Sequence, residues 1–199
     1  MTNEIQRIRS AMEREFDPSF IMCDEHQEVT SPCGKYLLVT DVFGTTADPK
    51  FPSIVVAIVR KIGTGEVLAT IKRNDDRLFF SWVARNNHDY LLFPEDLEGQ
   101  SVIDLTERRI AGFASEGGDF IWTEFHPSHD TTKLAIVGCY WACPYQVTVY
   151  DFREPMMLPL PIICQFDLPG NNARFKEWES AEVFTVIDDQ GQLHTYNVS

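Results

Sequence analysis

From residue 20 onward the chain is cut into short apolar segments separated by turn-forming residues, and this rhythm constrains the fold more than any other feature. Segments 36–39, 54–59, 67–71, 78–83, 90–93, 101–105, 110–113, 121–125, 134–137, 147–150, 162–166, 183–187 and 193–198 are four to six residues long and rich in Val, Ile, Phe and Tyr. β-Branched and aromatic side chains suit a pleated, half-buried surface, and runs of this length are strand-sized rather than helix-sized. After residue 20 no stretch carries a helical period. The pattern predicts an all-β body.

The segments also recur in a fixed order. Ser31-Pro32-Cys33-Gly34-Lys35 turns into an apolar strand, Ile54 to Val59 follows, and Thr64-Gly65-Glu66 leads to a closing strand at 67–71. The order returns after Asn86-Asn87-His88-Asp89, again after His126-Pro127, and in a shorter copy from Phe175. Equivalent strands lie roughly 45–55 residues apart, a period that belongs to stacked four-stranded units. The expected repeats span about 25–72, 78–114, 120–167 and 174–199 of one domain covering 1–199. Ahead of them, Ile5, Ile8, Met12 and Phe16 form one apolar stripe, so 2–16 reads as a helix that docks on the body within an N-terminal segment 1–17. Asp17-Pro18 ends it, because the residue before proline is pushed out of the helical region.

The pieces Ser31-Pro32-x-Gly34-Lys35-Tyr36-Leu37, Phe125-His126-Pro127 and Val147-x-Val149-Tyr150-Asp151 resemble β-propeller repeats of the WD-repeat type. In that family a strand ends in Trp-Asp or a similar aromatic-Asp pair. Tyr150-Asp151 matches; Ile103-Asp104 and Val59-Arg60 depart, and the family's Gly-His pair is missing. The resemblance covers most of 25–199 and implies about four four-stranded antiparallel meanders, arranged as a small or open (partial) propeller with one N-terminal helix. Propellers typically hold four to eight blades, and four copies fill this chain. An open ring leaves strand edges that need a cover, so another protein or a second copy of the chain is the expected partner.

Charge narrows the partners further. Thirty acidic residues against 17 basic ones give a net charge of −13, a surface that repels phosphate. Nucleic acid and anionic membrane are therefore not expected. The longest apolar run, 54–59, is far too short to cross a bilayer. Five cysteines at irregular spacings, behind an N-terminus with no apolar leader pattern, predict free thiols and a cytoplasmic setting.

Several constellations imitate catalytic or metal chemistry. His126, His129, Cys139 and Cys143 have ligand types and spacings that suggest zinc. The expected strand at 133–137 divides them, since ten extended residues reach roughly 30 Å. Cys33 sits in a turn beside Lys35 with no base assigned to it, and Ser81, Ser101 and Ser115 lack a nucleophile elbow. Gly63-Thr64-Gly65-Glu66 reads as a turn, and Asp75-Asp76, Glu95-Asp96 and Asp188-Asp189 as solvated turn carboxylates. No catalytic, metal or cofactor-binding residue is assigned, and no cofactor is expected.

The loops carry the remaining expectations. Residues 41–53 are long for a strand connection, and 155–161 are apolar and broken by proline. Phe43, Phe51, Met156, Met157 and Leu158 are the candidate partner-contact residues, with 155–161 alternatively a plug for the sheet stack. The function expected is a non-catalytic protein-interaction or scaffold module. The alternative is a small-ligand-binding protein or enzyme with its site at the mouth of the sheets.

Overall fold

The computed structural model describes residues 3–44, 53–95, 99–114, 120–141, 143–170 and 172–198. They form four antiparallel sheets and one α-helix, divided between two compact units, Met1–Leu78 and Phe79–Ser199.

The first unit holds α1 (Asn3–Glu15) and the strands β1 (Ile21–Thr30), β2 (Tyr36–Gly44), β3 (Ser53–Lys61) and β4 (Val67–Arg73), paired in the order β1-β2-β3-β4. Along β2 the buried positions alternate, with Tyr36, Leu38, Thr40 and Val42 turned inward. In β3, Ile54 through Ala57 are buried without a break, as a central strand covered on both faces requires. The apolar stripe of α1 packs on β4: Ile5 and Met12 are buried, and Glu13 meets the Lys72 ammonium at 2.6 Å. Lys72 lies 4.3 Å over the Phe16 ring, which meets Phe43 edge-on at 4.9 Å. The helix stops as expected, with the Asp17 carboxylate accepting from the Ser19 N–H at 2.9 Å.

Two features of this unit differ from the sequence expectation. Strand β1 was not expected, because its centre reads Asp24-Glu25-His26-Gln27-Glu28. Among the described residues it pairs only with β2, and its register shifts between Met22 and Gln27. A bulged edge strand tolerates charges that a central one would not. Strands β2 and β3 also run on past their apolar cores, so they take up both ends of the loop expected at 41–53.

The second unit holds three sheets. The first comprises β5 (Ser81–Arg85), β6 (His88–Phe93), β7 (Gln100–Asp104) and β8 (Arg109–Phe113). The next comprises β9 (Ile121–Pro127), β10 (Lys133–Cys139), β11 (Gln146–Asp151) and β12 (Ile162–Asp167). The last comprises β13 (Arg174–Ser180), β14 (Val183–Ile187) and β15 (Leu193–Asn197), three strands among the described residues. Each sheet is a meander of sequential neighbours. Asn86 and Asn87, both at positive φ (50° and 63°), make the two-residue turn between β5 and β6 that suits twisted strands.

Strand β10 shows how the sheets stack. Leu134 and Ile136 join a core with Val83, Tyr90, Leu92 and Val102 of the β5–β8 sheet. Their neighbours Ala135 and Val137 face the other way, into a core with Phe175, Trp178, Phe184 and Val186. Because side chains alternate along a strand, one short segment serves two cores. Polar ties reinforce the stacking. Arg85 donates to the Thr131 carbonyl at 2.9 Å, the Trp178 indole to the His126 carbonyl at 2.8 Å, and Lys133 to the Ala181 carbonyl at 2.8 Å. No helix among the described residues is long and apolar enough to cross a membrane.

Candidate functional site

The five histidines take up separate local positions. His26 pairs with Asp41 at 2.7 Å, His88 with Asp104 at 2.8 Å, His126 with Glu124 at 3.2 Å and His194 with Asp188 at 2.8 Å. His129 donates to the Trp178 carbonyl at 2.7 Å, and the His126 ring stacks on Phe175 at 4.1 Å. The zinc-like quartet is thereby drawn apart along one hairpin. His126 faces Ala135 in the register, whereas Cys139 faces Ile121, four positions or about 13 Å further along the strand. Burial pushes the Cys139 thiol up, and Cys33, Cys139, Cys143 and Cys164 are free.

Three aspartates instead organise turns. The Asp104 carboxylate, fully buried at the end of β7, accepts from the Thr106 and Glu107 N–H groups at 3.0 and 2.9 Å. Burial pushes this carboxyl up, but the Glu107 N–H, His88 and Arg109 outweigh it and hold it below the usual carboxylate range. Asp151, at the end of β11, is held down to about 2 chiefly by the Arg153 guanidinium. Asp188 is lowered by His194 and by the Gln192 N–H. The aromatic-Asp position noted in the sequence is thus a turn clasp, and at Asp104 it works without the aromatic residue.

Concave space occurs within the second unit. A cavity of about 380 Å³ is lined by Gly99 and Gln100 at the start of β7, Phe113 at the end of β8, Phe120 before β9, Tyr140 after β10 and Tyr150 in β11, with Pro159 to Ile162 completing the wall. Its size falls in the range of small-molecule sites. Gly99 has φ +125°, and a side chain there would meet the Phe113 carbonyl at 2.6 Å, so this corner of the wall requires glycine. The buried Gln100 Oε1 accepts from the Leu160 N–H at 2.7 Å and pins the 155–161 link to β7. Gln165 donates to the Tyr140 hydroxyl at 2.9 Å and Trp122 to the Tyr150 hydroxyl at 3.2 Å, fixing both phenols. Phe120 meets Tyr140 edge-on at 5.3 Å.

The candidate contact residues sit in different settings. Phe43 is partly buried against Phe16, and Phe51 lies outside the described residues. Met156 and Leu158 pack on the core shared by the β5–β8 and β9–β12 sheets, of which buried Leu160 is a member, while Met157 is 69% exposed. Sequence reasoning passed over the β10–β11 connection, where Trp141 is 70% and Tyr145 46% exposed. The available signal was Trp-Ala-Cys-Pro-Tyr, two large aromatics astride a proline-containing turn.

No protein-family model matches the chain. An uncharacterized protein of Acanthamoeba polyphaga mimivirus is 25% identical over 135 residues, 65% of this chain and 51% of that protein, so the chain spans about half the length of this curated relative. Among solved structures, dihydro-heme d1 dehydrogenase NirN in complex with DHE matches with a TM-score of 0.56 and 15% identity, over 87% of this chain and 35% of that one. An uncharacterized protein from Listeria monocytogenes matches at 0.49 and 12% identity, over 92% and 52% of the two chains. The Swd1 β-propeller domain from Myceliophteria thermophila matches at 0.46 and 11% identity, over 86% and 69%. Identities this low speak to architecture alone. With its four successive antiparallel meanders, the chain has the β-propeller fold, as a small or open, partial propeller.

Proposed function

We propose that the chain is a non-catalytic protein-interaction module whose main contact is the β10–β11 connection. The observation that carries this reading is the exposure of Trp141 (70%) and Tyr145 (46%) on one short turn between two buried strands. Trp and Tyr are the residue types that most often anchor protein interfaces, because they bury large area with few rotatable bonds. Met157 adds an adaptable apolar contact elsewhere on the same sheet's connections. The net charge of −13 favours a partner whose rim is basic. The free thiols suit a reducing compartment.

The test is capture from an extract of the native source with the wild type and with Trp141→Ser/Tyr145→Ser. Both side chains are exposed, so the double variant should unfold within about 0.5 kcal/mol of the wild type. A defined partner whose affinity falls by about thirtyfold or more in the variant is the expected result. Equal capture by both proteins, or no partner together with a strictly monomeric mass by light scattering, overturns the reading. A second reading, small-ligand binding, draws on the cavity.

A further inference from the structure

The cavity in the second unit has a wall chemistry that selects its occupant, independently of the exposed turn. Its lining combines two phenylalanines, two tyrosines, two prolines, Leu160 and Ile162 with Gly99 and Gln100. No Asp, Glu, Lys, Arg or His is among these lining residues. Moving a charged ligand from water onto such a wall would cost several kcal/mol without a compensating partner. A neutral ligand meets no such penalty. Aromatic rings favour edge-on or offset contact with another planar ring, which gives selectivity beyond area alone.

The polar groups on the wall are few and held in place. The Tyr140 oxygen accepts from Gln165 Nε2, an arrangement in which the phenol's own proton is turned toward a different acceptor. Gln100 spends its oxygen on the Leu160 N–H and so fixes the floor rather than competing for the ligand. The construction follows the usual plan of small-molecule sites: mostly apolar walls, with a small number of convergent polar atoms. The pieces come from β7, β8, β9, β10, β11 and β12 or their flanks, so two adjacent sheets of the same unit create the site together.

We propose that this cavity binds a neutral, planar, largely aromatic small molecule that carries one hydrogen-bond acceptor, with the Tyr140 hydroxyl as donor. The ring lies among Phe113, Phe120 and the proline–leucine wall, and Ile162 stands at the edge. Ile162 is 52% exposed, so a larger side chain there can be accommodated without disturbing the core.

The test uses the full chain and prodan, a neutral naphthyl ketone whose emission shifts to the blue in apolar surroundings. Titration of the wild type should give a saturable blue shift with one site per chain. Ile162→Trp, which narrows the cavity, should weaken prodan binding by at least about tenfold, in line with the cost of overpacking. Tyr140→Phe keeps the ring but removes the donor and should weaken binding roughly three- to tenfold. Trp141→Ser/Tyr145→Ser, on the exposed turn, should leave it unchanged, which separates this site from the interaction surface proposed above. Absence of saturable binding overturns the proposal. Binding unaffected by Ile162→Trp, or abolished by the Trp141/Tyr145 variant, places the probe elsewhere and overturns it equally.

Discussion

Asp104 shows what a single buried carboxylate does in this fold. It closes the β7–β8 turn through two N–H groups, holds the His88 ring and is itself wholly buried. Asp104→Ala leaves those donors without their acceptor and should cost about 2–3 kcal/mol, read from urea unfolding. A loss below about 0.5 kcal/mol would show that the turn closes without it. Asp151 makes the corresponding clasp with Arg153, and its depressed carboxyl has a pH consequence. A carboxyl near 2 when folded and about 3.9 when unfolded stabilises the fold fully above the unfolded value. That contribution fades as pH falls from about 4 toward 2. The unfolding midpoint of Asp151→Asn should therefore decline less steeply than the wild type over that interval. Identical slopes would count against the clasp. In the first sheet the corresponding β3 position is Arg60, which donates to the Gly65 carbonyl at 3.4 Å, so an opposite charge closes the equivalent turn.

At the scale of elements, β9 and β10 approach unusually closely where their register slips, between Val137 and Gly138. A Cβ on Gly138 would lie 2.0 Å from the Ile121 carbonyl and 2.8 Å from the Phe120 ring. Backbone on one side and a packed ring on the other leave little room to yield. Gly138→Ala should cost about 1–3 kcal/mol in denaturant unfolding. Gly170→Ala is the matched comparison, since a Cβ there meets nothing within 4 Å, and it should be close to neutral. A neutral Gly138→Ala would mean that the bulge relaxes freely. This bulge was not legible in the sequence, where the strand expected at 133–137 ends at Val137, short of Gly138. The central strands β3, β10 and β14 declared themselves through dense β-branched and aromatic runs. Edge strand β1, with Asp-Glu-His-Gln-Glu at its centre, did not, and β13 (Arg-Phe-Lys-Glu-Trp-Glu-Ser) showed only its two aromatics. Edges face water on one side, so their sequences lose the apolar signature. The cavity was equally hidden. Phe113, Tyr140 and Pro159 lie far apart along the chain, and only the stacking of two sheets brings them to one wall.

For the molecule as a whole, 30 acidic residues against 17 basic ones set up a self-repulsion that each folded unit must overcome. Added salt shortens the reach of those charges to about 8 Å at physiological strength. The melting temperature should accordingly rise as sodium chloride goes from about 0.01 M to about 0.15 M. A flat or falling response would show that local pairs such as Glu13–Lys72 dominate over the net charge. The four-meander architecture was readable in advance because the turns repeat. The letters of Ser31-Pro32-Cys33-Gly34 and Thr64-Gly65-Glu66 specify backbone geometry, including positive φ at Gly34 and Gly65, more strictly than strand residues specify their neighbours.

The exposed Trp141 has one more consequence, and it is optical. The chain has four tryptophans, of which Trp122 and Trp178 are buried at 1% and 4% exposure, Trp82 is partly covered and Trp141 stands 70% in water. Its indole therefore contributes the red, acrylamide-quenchable part of the intrinsic emission, while the buried indoles give the blue part. Any partner that seats on the β10–β11 turn dims the quencher's effect on that red component alone. The protein thus carries its own unlabelled reporter of occupancy at the proposed contact.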